Sequence, residues 1–189
     1  MSDVARFLPL SQRTADGPAV AADRRAQLAD IVDLAAAALT GAASVDPAAS
    51  VDPEGAVDPE TVVSDFLHDA GLAPEAPEAR AADLADVAAA IRSGRRRSTK
   101  EVTAAARAYL RLPAAARAPL PTAVAGAVAF AAAASTTGDR RAAIAGHTVR
   151  ASDAAWSFGR GPDLVATGDE IVAFLTGVSD EPPRRPRIS

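Results

Sequence analysis

The chain has 189 residues and no cysteine, which excludes disulfides, thiol nucleophiles and thiolate metal sites. Its 24 acidic and 20 basic residues give a net charge of −4, a balance that argues against a nucleic-acid binder. Hydrophobic residues make up 49% but aromatics only 4%. Much of the apolar content is alanine, which buries little area yet has the highest helix propensity. The expected fold is therefore mainly α. It is an N-terminal bundle of about five helices with a small α+β C-terminal piece, all-α being the alternative.

Residues 1–18 lack a basic segment followed by an apolar one, so they do not read as a secretory signal, and a flexible N-terminus is expected there. A first helix is predicted over residues 20–39 of a bundle spanning 19–135. Leu28, Ile31, Val32, Ala35, Ala38 and Leu39 recur at helical spacing on one face, and Thr40-Gly41 is the expected stop. Val-Asp-Pro then recurs every six residues at Val45, Val51 and Val57. That period is too short for a solenoid unit and proline forbids a regular helix, so residues 42–58 read as a linker enlarged by duplication.

The last copy doubles as a helix start: Asp58 can cap, and Pro59 suits the first helical position. Val62, Val63, Phe66 and Leu67 form the buried stripe of this second helix, which stops at Gly71. A third is expected over 77–92, with Leu84, Val87, Ala88 and Ile91 inward and Ser93-Gly94 ending it. Ser98-Thr99-Lys100-Glu101 is a capping box for a fourth helix, which carries Val102, Ala106 and Tyr109 on one face and closes at Pro113. A fifth spans 122–134, where Gly126 costs helix propensity and suits a close approach by another helix. The surrounding apolar run is interrupted by Pro121 and Gly126 and is largely alanine, too weak for a membrane span. No membrane association is expected, and the cytoplasm is the expected location.

Residues 139–178 change character. Strands are predicted at 144–151 and 156–158, with Gly159-Arg160-Gly161-Pro162 as a turn, then a helix opened by the capping box Thr167-Gly168-Asp169-Glu170 and stopped by Gly177. Ile171, Phe174 and Leu175 are its inward face. Residues 179–189, rich in proline and arginine, read as a disordered tail.

Residues 140–177 resemble the C-terminal segment of actinobacterial proteins related to mycothiol-dependent maleylpyruvate isomerase. The match rests on Asp153, Trp156, Gly159-Arg160-Gly161-Pro162 and Leu175-Thr176-Gly177, about a fifth of the chain. The resemblance implies a helical bundle joined to a small α+β domain, a reducing cytoplasm and mycothiol as thiol cofactor. It also implies a small molecule or thiol held between bundle and C-terminal domain. The family's bundle holds a divalent metal through histidines and an acidic residue on facing helices. This chain has only His68 and His147; Asp65 precedes His68 by three residues where the family spacing is four, and Val178 stands where an arginine usually follows the glycine. The resemblance thus implies the fold without the metal chemistry.

Candidate sites are few. His68 with Asp65 and Asp69 is a metal candidate, set against a histidine placed near a helix C-terminus where a cation is favoured. His147 could act as a general base beside Asp153, or sit in a strand or turn. Trp156 could line a pocket or belong to the core. Arg160 joins these three as a binding candidate. Arg92, Arg95, Arg96, Arg97 and Lys100 could hold a phosphate or other anion, with Ser98 and Thr99 beside them as a modification target, or could form a solvated turn. Gly159-Arg160-Gly161 lacks the third glycine of a dinucleotide fingerprint. Two functions emerge: a divergent small-molecule or thiol binder of the isomerase-like type, or a non-catalytic helical protein acting through a homo-oligomer or a protein partner.

Overall fold

A computed structural model describes residues 23–43, 58–73 and 80–186. The expected flexible N-terminus, the first two Val-Asp-Pro copies and the expected helix start at 77 lie outside the described residues. Within them, the helices are α1 (Arg25–Ala43), α2 (Pro59–Asp69), α3 (Leu84–Ser93), α4 (Thr99–Arg111), α5 (Thr122–Ser135), α6 (Gly138–Ile144) and α7 (Gly168–Thr176). The strands are β1 (Thr148–Ala151), β2 (Ser157–Gly159) and β3 (Asp163–Ala166). The fold is mainly α with a small sheet, which removes the all-α alternative. No described helix is long and apolar enough to cross a membrane.

Capping chemistry sets the helix starts. Asp58 accepts from the Glu60 amide at 3.3 Å, with Pro59 in the first turn of α2. Ser98 and Glu101 form the reciprocal box that opens α4, and Thr167 and Glu170 the one that opens α7. Such caps contribute about 1 kcal/mol each. Gly177 ends α7 at φ 78°, the left-handed conformation glycine adopts without strain. Gly41 does not play that part: α1 continues through it to Ala43, and Gly41 takes no positive φ. A lone glycine costs roughly 1 kcal/mol of helix propensity, too little to stop a helix held by the fully buried Leu28, Ile31, Val32 and Ala35.

Helix α4 is the hub. It packs against α1, α2, α5 and α7, and its buried residues Val102, Ala105, Ala106, Ala108, Tyr109 and Leu110 cover more than one face. α1 lies chiefly on α3, and α5 chiefly on α7. The C-terminal piece is therefore tied into the bundle through α7.

The sheet has the order β2-β1-β3, with β1 antiparallel to β2 and parallel to β3. The register pairs Val149 with Phe158 on one side and with Leu164 on the other. Two expectations change here. The strand predicted from 144 begins only at Thr148, because Ile144 closes the short helix α6. Between the expected turn at 159–162 and the last helix, where no strand is predicted, Asp163–Ala166 form a third strand. To reach β3 from β2 the chain crosses the end of β1, and glycines make room. A Cβ on Gly159 would lie 2.2 Å from the His147 carbonyl oxygen, and one on Gly161 would lie 2.0 Å from that of Gly146. The tail expected to be disordered from Ser179 instead runs back to β3, where Arg184 and Val165 exchange backbone hydrogen bonds of 2.6 and 3.1 Å.

Candidate functional site

The four binding candidates of the C-terminal segment separate into two pairs at opposite ends of β1. At one end, Asp153 Oδ1 accepts from the Gly168 amide at 2.8 Å, so its carboxylate caps α7. Trp156 lies beside it, its indole wedged between α5 and α7. A Cβ on Gly126 would be 3.2 Å from indole Cδ1, and one on Gly168 would be 3.4 Å from Cζ2. The close approach expected at Gly126 is thus made by an indole and not by a helix. Trp156 stacks on Phe158 at 6.4 Å and 8°, and Phe130 closes the cluster at 5.5 Å from Phe158 while staying 50% exposed.

At the other end, His147 and Arg160 share a shallow cleft of about 260 Å³ with Phe158 and Arg141. His147 Nδ1 is 3.0 Å from the Ala145 carbonyl oxygen. The general-base pairing of His147 with Asp153 is therefore corrected: the whole of β1 stands between them, and Asp153 is committed to the α7 amide.

The arginine cluster is spent internally. Arg92 pairs with Asp30 at 3.0 Å and Asp33 at 2.5 Å, fastening α3 to α1. Arg95 and Arg97 converge on Glu101 at 2.7 and 3.1 Å, and the Arg97 side chain is only 4% exposed. Burial pushes the Glu101 carboxyl up. The Ser98 amide and hydroxyl and the two guanidiniums outweigh it, lowering the carboxyl from an ordinary 4.5 to about 2. The same turn is stapled to the start of α1 by the Arg25 guanidinium on the Gly94 carbonyl, 2.8 Å, and by the Arg24 amide on the Arg97 carbonyl, 3.1 Å. Arg96 is exposed. As an anion site the cluster fails at Arg95 and Arg97, whose charges already meet a carboxylate.

His68 is exposed in the last turn of α2, and its neighbour Asp69 is held by Arg111 of α4. Among the described residues no group of three or more histidine or carboxylate side chains could hold a metal ion.

A larger space shares only Thr99 and Lys100 with the predicted sites. α4, α5 and the C-terminal end of α7 enclose a groove of about 640 Å³, within the usual range for small-molecule sites. Its floor is Ala104, Ala131, Ala132 and Leu175. Three of the four hydroxyls along its walls are turned back into their own helices: Thr103 to the Thr99 carbonyl at 2.9 Å, Ser135 to Ala131 at 3.1 Å and Thr176 to Val172 at 2.7 Å. That leaves a largely apolar surface with Lys100 and Arg107 at its edge. The one sequence signal for it is that Lys100, Ala104 and Arg107 share a face of α4 at spacings of four and three.

No protein-family model, curated protein or solved structure matches the chain.

Proposed function

We propose that this protein is a non-catalytic binder of a small molecule, held in the groove where α7 of the C-terminal piece meets α4 and α5. The observation that carries the reading is the groove itself, about 640 Å³ with an alanine-rich floor and three hydroxyls bonded within their own helices. Small side chains leave room between helices that larger ones would fill, so an alanine-rich interface suits an inserted ligand. The separation of His147 from Asp153, and the consumption of Arg95 and Arg97 by Glu101, favour binding over catalysis. The resemblance in the C-terminal segment points the same way, since it implies a ligand between bundle and C-terminal domain. Mycothiol in a reducing cytoplasm is the candidate that resemblance supplies.

Thermal unfolding in the presence of mycothiol and a panel of small metabolites tests this. A true ligand at a hundred times its Kd stabilises by about 2.7 kcal/mol, several degrees in Tm. That shift should vanish in Ala104→Trp, which fills the groove from the exposed side of α4 and should keep a native far-UV spectrum. A panel in which no compound moves Tm, or a shift that persists in Ala104→Trp, would sink the reading.

A further inference from the structure

The groove's chemistry narrows its ligand, on the premise that the groove is the binding site. Six arginines lie in α3, in α4 or in the turn between them, and four of them find carboxylates: Arg92 with Asp30 and Asp33, Arg95 and Arg97 with Glu101, and Arg111 with Asp69. Of the other two, Arg96 is exposed in the turn and Arg107 lines the groove. Arg107 makes no ion pair or hydrogen bond among the described residues, and its Nε, like those of Arg24, Arg97 and Arg117, is sealed from solvent without a partner.

Lys100 stands two turns before Arg107 on the same helix and opens onto the same groove. The lining contains no aspartate or glutamate, although the chain as a whole is acidic at −4. The groove is therefore a local inversion of the molecule's charge. α5 and α7 both end at it, and carbonyls at a helix C-terminus favour a cation nearby. They explain why a cation is tolerated there, yet none of them accepts a bond from Arg107. A planar guanidinium offers a fork of donors that matches a carboxylate, sulfonate or phosphate monoester.

We infer that the groove takes an anion carried on an apolar body, the anionic head bonded by Arg107 with Lys100 beside it, and the body laid on Ala104, Ala131, Ala132 and Leu175. The shared chemistry is that of an amphiphilic anion.

Calorimetric titration of the full chain with decanoate and with decanol, below micelle formation, separates charge from apolar contact. Decanoate should bind one to one, about tenfold or more tighter than decanol, because a charge-assisted bond to a guanidinium adds to the same apolar burial. Arg107→Gln should abolish the difference while leaving decanol affinity unchanged, and Lys100→Gln should reduce it in part. Raised salt should weaken decanoate alone. Equal binding of the two probes overturns the anion inference and leaves the groove reading standing. Binding of neither, or decanoate binding that survives Ala104→Trp, overturns both. Should Arg107→Gln misfold by circular dichroism, the probe ratio and salt dependence of the native chain still decide.

Discussion

Glu101 concentrates the electrostatics of the α3–α4 turn in one carboxylate. It closes the capping box with Ser98, receives Arg95 and Arg97, and does so with a side chain 26% exposed. Its folded-state pKa of about 2 lies below the ordinary 4.5. A carboxyl depressed in this way stabilises the fold fully above its unfolded value and ceases to do so as pH falls through the folded one. The contribution is therefore whole at neutral pH and fades between pH 5 and 2, the window set by those two values. Its upper bound is about 3 kcal/mol, reduced by solvent screening. Glu101→Gln should lower denaturant stability at pH 7 while narrowing the gap to wild type as the pH approaches 3. A gap constant over that range would show that the carboxylate's charge contributes nothing. The capping box was legible from Ser98 and Glu101 three residues apart, but the cluster's purpose was not. The spacing of Arg92, Arg95 and Arg97 carries no sign that Asp30 and Asp33, sixty residues earlier, and Glu101 would absorb their charge.

Among the elements, legibility followed local chemistry. α2, α4 and α7 announce themselves through a capping side chain and a glycine or proline stop, and their buried faces follow the spacing of Val63, Phe66 and Leu67, of Val102 and Tyr109, and of Ile171 and Phe174. α6 has neither a side-chain cap nor a buried residue, so nothing in its composition separated it from a loop. β3 is four residues long and is defined by its partner β1 more than by its own pattern. Gly126 shows how an element-level cost is offset by packing. Alanine there would gain roughly 1 kcal/mol of helix propensity, but its Cβ would come within 3.2 Å of the Trp156 indole. A larger side chain cannot share that space, since helix backbone and indole are both fixed by their neighbours. Gly126→Leu should therefore expel Trp156 and destabilise by about 1–3 kcal/mol, the usual cost of overpacking. Trp156 is the sole tryptophan, so a red shift of intrinsic fluorescence reports its expulsion directly. An unshifted spectrum would mean that the indole does not lie against α5.

At the scale of the whole molecule, the groove exists only because of a long-range arrangement. Lys100 and Arg107 come from α4, Ala131 and Ser135 from α5, and Leu175 from α7, so no window of sequence contains the site. What sequence did convey was the change of character after residue 138, read as a small α+β C-terminal piece. The packing argues that the two parts unfold together. α7 lies on both α5 and α4, and Trp156 is held by Gly126 of the bundle and Gly168 of the C-terminal piece. Fully buried Ile171 and Val172 meet the same core as Val124 and Val128. Separating the parts would expose that apolar surface on both sides, a cost that outweighs the short sheet's capacity to stand alone, since small sheets need a packed face for stability. Thermal unfolding followed by Trp156 fluorescence reports the junction, while far-UV circular dichroism reports chiefly the helices. The two transitions should coincide in midpoint and width, as in a single cooperative unit. A fluorescence transition several degrees below the dichroism one would mean that α7 and the sheet detach first, and the groove, which needs α7 as a wall, would then open before the bundle melts.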